Sequence, residues 1–356
     1  MAKQKPKKKR SYVKWLSRRS RRVLRAAFQW LRYRVGEYCL RGFIRALPRI
    51  PPRLVDLFTA GAEKATFTLL RKYRARMEDN ITLAMSGEFP LPEQRRALVR
   101  RIWSNLSKGL LETLWMMHAS KAEIVGRIAL DGEEHLQRAL AAGKGVIALS
   151  AHLGNFTMIG ARLAAAGYSF TALVKHPGDR RFAQLINDYR AQLGIQTISA
   201  KPRREAVRGI LKALRANSIV LVIADEFKSE GIEVDFFGRR SPVPRGPATI
   251  ALRTGAATLP MFATRDDQGR LTLSIGPRIE LIDRGDREQN VAANTALFTQ
   301  HLEAAVRRYP DQWNWLGFYR DGREPRMARH RALRRQHKAR RAASSAEASP
   351  KQDSAR

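Results

Sequence analysis

Between Gly145 and Ala224, short apolar runs alternate with stretches of helical character, and this alternation restricts the fold more than any other feature of the chain. Gly145-Val146-Ile147-Ala148-Leu149-Ser150, Phe170–Val174, Gln196–Ser199 and Ile219–Ala224 have the length and apolar content of buried strands. The segments between them, Phe156–Ala166, Arg180–Leu193 and Arg204–Ala216, are long enough for helices. Strands alternating with helices on this scale make βαβ units and a largely parallel core. Upstream, Arg71–Leu83 and Pro92–Met117 carry helical apolar spacing, separated by the breaker Gly87-Glu88-Phe89-Pro90. Downstream, Arg245–Thr254 reads as a helix that Gly255 ends in a left-handed cap. Ala257–Ala263 and Leu271–Ile275 read as strands joined by a turn at Asp266-Asp267-Gln268-Gly269, and Val291–Arg308 as a helix that stops before Pro310. The expected class is α/β: a mixed, largely parallel central sheet flanked by helices, with an N-terminal helical region in front.

Charge is the second constraint. The chain has 356 residues and a formal charge of +35. Residues 1–50 hold 17 basic residues against a single acid, Glu37. Such a surplus calls for an anionic partner. Leu24, Phe28, Leu31, Val35 and Tyr38 recur at three- and four-residue spacing, so they share a helix face, and arginines fill much of the rest. Trp15, Trp30 and Tyr33 add amphipathic rings suited to a lipid headgroup boundary. A basic amphipathic helix of this kind lies on an anionic membrane, each Lys or Arg near the surface contributing about 1 kcal/mol. The plainer alternative is a helix packed on the protein with a solvated basic face. Nucleic acid is disfavoured as the partner, because no recognised reader motif accompanies the charge.

No window approaches the roughly 18 consecutive apolar residues of a membrane span, and the basic N-terminus lacks the apolar core of a secretory signal. The one cysteine, Cys39, excludes an intramolecular disulfide framework. The expected organisation is a basic amphipathic region over 1–60, a helical lead-in over 61–125, an α/β domain over 126–320 and a basic disordered tail over 321–356.

The segment richest in chemistry is Ser150-Ala151-His152-Leu153-Gly154-Asn155-Phe156-Thr157, where a buried strand gives way to a helix. In open α/β sheets, ligands bind at that place. An imidazole there is a natural proton acceptor near neutral pH. Gly154 permits close backbone approach, and the helix start offers amide donors. The competing reading is a buried histidine satisfied by a carbonyl. Ser150 has no third partner in sequence and is a poor nucleophile candidate.

These residues carry a resemblance. Gly145-Val146-Ile147 followed by Ala151-His152-Leu153-Gly154-Asn155-Phe156 is similar to the first block of the bacterial lipid A biosynthesis (lauroyl/myristoyl) acyltransferases, part of the lysophospholipid acyltransferase superfamily. Phe236-Phe237-Gly238-Arg239, Pro244-Arg245-Gly246-Pro247-Ala248, Ala251–Ala256 with Leu259-Pro260, and Tyr309-Pro310-Asp311-Gln312-Trp313-Asn314-Trp315 resemble later blocks, and Asn80-Ile81, Phe89-Pro90 and Trp103–Leu106 the lead-in. The resemblance implies a peripheral or monotopic enzyme on the cytoplasmic face of the inner membrane. Such an enzyme moves a fatty acyl group from an acyl-carrier protein or acyl-CoA thioester to a hydroxyl of a membrane lipid, a lipid A precursor or a related glycolipid or lysophospholipid. It uses no cofactor beyond the thioester and no metal, and its partners are the acceptor lipid, the donor and the anionic membrane, not nucleic acid.

The family's catalytic pair is a histidine and an acid five positions later. Here that position holds Thr157. Its hydroxyl can fix an imidazole tautomer but brings no charge. Three alternatives stand: Thr157 suffices; Asp225 or Glu226, at the end of another core strand, substitutes; or the chain is a non-catalytic lipid-binding relative. If the missing carboxylate limits catalysis, Thr157→Glu raises the rate. Candidate catalytic residues are therefore His152, Thr157, Asp225 and Glu226. Candidate substrate contacts are Gly154, Asn155, Lys175, Arg181, Arg245 and Arg253, with Lys175 favoured because it follows a core strand. Lys201, Arg203 and Arg204 are placed to face an acidic carrier protein, and Phe156, Phe182, Phe236 and Phe237 are candidates to line an acyl pocket.

Overall fold

The computed structural model describes residues 7–46, 49–227 and 231–318. The tail over 321–356 lies outside the described residues. Five helices lead in: α1 (Lys7–Ala46), α2 (Pro52–Leu69), α3 (Arg71–Met85), α4 (Pro92–Met116) and α5 (Lys121–Arg127). The core follows as β1 (Ile128–Asp131), α6 (Glu133–Ala141), β2 (Val146–Ser150), α7 (Thr157–Ala165), β3 (Phe170–Val174), α8 (Arg180–Gln192), β4 (Ile195–Ser199), α9 (Arg203–Arg215) and β5 (Ile219–Ile223). A two-stranded ribbon, β6 (Ile232–Phe236) and β7 (Arg239–Val243), precedes α10 (Gly246–Thr254), β8 (Ala257–Arg265), β9 (Leu271–Ile275) and α11 (Arg287–Arg308). Two short 3-10 turns, Pro310–Gln312 and Trp315–Gly317, close the described chain.

The main sheet has seven strands in the order β1-β9-β8-β2-β5-β3-β4. The β8–β9 pair is antiparallel; the other neighbours run parallel. The α/β class with a mixed, largely parallel sheet is thus what the chain adopts. β2 lies at the centre with every residue buried, the expected state for a strand covered on both faces and the reason it reads as an unbroken apolar run. Its side chains alternate between the two faces. Ile147 and Leu149 join a core with α3, α4, α9, α10 and α11, while Val146 and Ala148 join one with α6 and α7.

The leading helix docks through charge. Glu37, fully buried, receives Arg34, Arg41 and Arg181, and Arg34 also pairs with Asp179 at the N-cap of α8. Tyr33 and Phe182 add a ring contact with centroids 5.8 Å apart. The face of α1 that carries Leu24, Phe28, Leu31, Val35 and Tyr38 has no such cover among the described residues. Leu24, Phe28, Trp30, Leu31, Val35 and Tyr38 are exposed, and on α2 so are Leu54, Leu57 and Phe58. The five residues that share a face in sequence therefore form an uncovered apolar stripe. No described helix is long and apolar enough to cross a membrane.

Candidate active site

Strand pairing builds the site. β2 and β5 lie side by side with Ser150 opposite Ile223. Two residues beyond that register, as both strands end, His152 and Asp225 come together. The backbone N–H of His152 donates to Asp225 Oδ2 at 2.8 Å, and His152 Nδ1 lies 2.8 Å from Asp225 Oδ1. Because a carboxylate only accepts, Nδ1 carries the proton and Nε2 presents its lone pair. The side chain of Asp225 is 3% exposed and that of His152 33%, so the carboxylate is sealed while the base reaches solvent.

The turn after His152 is tightly fixed. Gly154 has φ +58°, and a Cβ there would stand 2.0 Å from the carbonyl oxygen of Ala263. Its N–H donates to Gln312 O, that of Asn155 to Ala263 O, and that of Asn314 to His152 O. Gly154→Ala is expected to cost at least about 2 kcal/mol through backbone strain and collision. Urea unfolding of the variant checks this.

A cavity of about 330 Å³ opens beside the pair, lined by His152, Asp225, Glu226, Phe227, Trp313, Asn314 and Gly317. Burial of the imidazole acts to lower its pKa, but the hydrogen bond to Asp225 and the charges of Asp225 and Glu226 act the other way and prevail, so the pKa is raised above the ordinary 6.5. Sequence reasoning left Asp225 and Glu226 as equal alternatives. The structure brings Asp225 to the ring and leaves Glu226 exposed at the cavity wall, acting through its charge.

Thr157 is turned away from the pair. Its Oγ1 donates to Asn155 Oδ1 at 2.5 Å and lies 2.9 Å from Thr113 Oγ1. Asn155 in turn donates to Glu112, and Glu112 forms a two-pronged ion pair with Arg265 at 2.6 and 2.9 Å. This network floors a second cavity of about 250 Å³, whose rim includes Ile102, Leu106 and Leu110 of α4. Phe156 lines that cavity and packs edge-on against His152, ring centroids 5.1 Å apart. With a carboxylate already on the imidazole, Thr157→Glu is not expected to raise any rate. It would bring a second acid toward Glu112 and Asn155 Oδ1, at a cost of about 2–4 kcal/mol. The added Glu112→Gln should recover part of that loss in a denaturation experiment.

The cationic candidates divide. Arg181 binds Glu37 in the helix dock, and Arg245 binds Glu288 at 2.7 Å. Gly154 and Asn155 support the turn and the second cavity. Lys175 and Arg253 are exposed, without hydrogen bond or ion pair to the described residues, and Lys175 stands just past β3, at the same sheet edge as His152. Lys201, Arg203 and Arg204 are exposed at the start of α9. Phe236 and Phe237 sit in an aromatic cluster with Trp313, Trp315 and Phe318, closed to either cavity. No group of described residues is arranged to hold a metal ion.

Sequence reasoning gave no role to Trp313, Thr113, Glu112 or Arg265. For Trp313 the only signal was its place in the Tyr309–Trp315 block.

Residues 17–317 match the model of the bacterial lipid A biosynthesis acyltransferases. The chain belongs to this family. Among its curated relatives is the phosphatidylinositol mannoside acyltransferase of Mycobacterium tuberculosis, 30% identical over 203 residues, which are 56% of this chain and 62% of the relative. The protein of the same description from Mycolicibacterium smegmatis is 27% identical over 219 residues, 60% of this chain and 69% of the relative. The lipid A biosynthesis acyltransferase of Haemophilus influenzae is 24% identical over 279 residues, 77% and 84% of the two chains. The family member described here thus spans a little under two thirds of the first of these relatives.

Proposed function

We propose that this protein transfers a fatty acyl group from a thioester to a hydroxyl of a glycolipid at a membrane surface. The observation that carries the reading is the His152–Asp225 pair, its carboxylate buried and its Nε2 free beside a cavity at the carboxyl edge of the sheet. Nε2 takes the proton of the acceptor hydroxyl as its oxygen attacks the thioester carbonyl carbon. Asp225 holds the tautomer and stabilises the imidazolium that forms. When the tetrahedral intermediate collapses, the carbon–sulfur bond breaks and the imidazolium returns the proton to the departing thiolate. No step calls for a metal or a cofactor besides the donor.

The second cavity, rimmed by α4 leucines and parted from His152 by Phe156, suits an acyl chain. A glycolipid acceptor is favoured because the relatives' descriptions name phosphatidylinositol mannoside and lipid A. Placement on the cytoplasmic face of an anionic membrane rests on the exposed apolar stripe of α1 and α2 and on the basic N-terminal segment. Lys175 is the cation best placed to meet a phosphate of donor or acceptor.

The test is a transfer assay with the purified full chain on anionic vesicles. Carrier-protein and CoA thioesters are offered with mannosylated phosphatidylinositol or lipid A precursor, and products are read by mass spectrometry. A new ester is expected. Vesicle binding without transfer from any donor would replace this reading with that of a non-catalytic lipid binder.

A further inference from the structure

The carboxylate that faces His152 is itself held by a third group. Trp313 Nε1 donates to Asp225 Oδ2 at 2.8 Å. The same oxygen accepts the backbone N–H of His152 at 2.8 Å, which leaves Oδ1 for the imidazole. Trp313 is 1% exposed, so its N–H has no access to water and would be orphaned without this bond. The indole is fixed by rings on several sides. Trp315, Phe236 and Phe318 lie at centroid distances of 4.8, 5.8 and 5.9 Å. Its backbone is pinned as well, for Leu153 bridges to Trp313 and the next residue, Asn314, donates to His152 O.

We propose that Trp313 is a positioning residue of the reaction, acting through Asp225: its N–H fixes the rotation of the carboxylate so that Oδ1 stays on His152 Nδ1. This rests on His152 being the base. The group is an indole rather than a hydroxyl because only a donor that cannot accept forces an oxygen lone pair to point at it. An N–H on a large rigid ring, wedged in an aromatic cluster, can turn only if the whole cluster does. Without it, Oδ2 keeps one backbone N–H, and the carboxylate is held by that bond and by the Oδ1–Nδ1 bond whose alignment the indole no longer enforces. The hydrogen bond and the close charge that raise the affinity of His152 for protons would then weaken together.

The test is Trp313→Phe, which keeps a ring in the cluster and removes the donor, with replacement of Trp313 by benzothienylalanine as a closer isostere. The maximal rate should fall about 10- to 100-fold with little change in KM. The acid limb of the pH–rate profile should move by about half a unit toward lower pH, in the direction that Asp225→Asn moves it. The double variant Trp313→Phe/Asp225→Asn should be hardly slower than Asp225→Asn alone, because both changes break one device. A purely structural tryptophan would lower the folded fraction without moving the limb, since the limb does not depend on how much enzyme is folded.

An acid limb that stays in place or moves upward overturns the proposal, as do effects of the two substitutions that multiply. The parent reading fails separately: full activity in His152→Ala would remove the base itself, whatever Trp313 does.

Discussion

His152→Ala is expected to lower acyl transfer by at least about 10⁴-fold while leaving folding and vesicle binding close to those of the parent chain. The expectation of intact folding has a structural basis. The bonds that hold this turn run through the backbone of residues 152–155 and the side chain of Asn155, and among the described residues the imidazole adds only the bond to Asp225 and an edge contact with Phe156. Alanine keeps the backbone N–H that donates to Asp225. Chemistry should therefore separate from stability at this position. The measurement is the initial rate of ester formation alongside thermal unfolding and vesicle sedimentation of the same preparation. A rate within tenfold of the parent would mean that another group removes the proton.

Asp225→Asn is expected to lower the rate by about 10³- to 10⁴-fold, for a reason that can be followed atom by atom. Two N–H donors, from His152 and Trp313, converge on Oδ2 and demand an acceptor there. The asparagine must place its carbonyl oxygen at that point and turn its amide nitrogen toward the ring. Nδ1 is then forced to accept, the proton moves to Nε2, and the atom that should take the substrate proton already bears one. The pH dependence follows with a definite sign. In the parent chain the pKa of His152 is raised: burial opposes, while the hydrogen bond to Asp225 and the charges of Asp225 and Glu226 prevail. A base works when deprotonated, so activity should be lost as pH falls, with the midpoint above 6.5. In Asp225→Asn the two contributions of Asp225 vanish and burial remains, so the residual activity should persist to lower pH. A pH–rate series from about pH 5 to 9 decides the matter; a limb that does not move down would show that Asp225 does not govern the base.

The strands that carry His152 and Asp225 were legible because buried parallel strands leave unbroken apolar runs. β3 and β9 fall at Phe170–Val174 and Leu271–Ile275, the bounds read from sequence. Which strands pair was not legible. β5 lies between β2 and β3 although the chain visits β3 and β4 first, so no local pattern could choose Asp225 over Thr157. The family resemblance pointed at position 157, five residues on, and long-range register delivered a carboxylate from 73 residues away. The β6–β7 ribbon was also missed. Its turn has Phe237 at φ +52° and Gly238 at φ +69°, and a phenylalanine stands where such a turn favours Asn or Gly. The aromatic cluster outweighs that preference, since Phe237 packs on Trp313, Trp315 and Phe318. β1, four residues long, is too short for periodicity to register. Arg181 and Arg245 looked like free cations because their partners, Glu37 and Glu288, are remote in sequence.

The order in which the chain emerges gives the Trp313–Asp225 bond a meaning for biogenesis. A polypeptide still growing on the ribosome can form the central strands and set His152 near Asp225, but until residue 313 has been synthesised Oδ2 of that acid lacks its indole donor. A half-made copy would thus lack one of the three bonds on that acid, and the full set forms only once the chain has been made as far as residue 313.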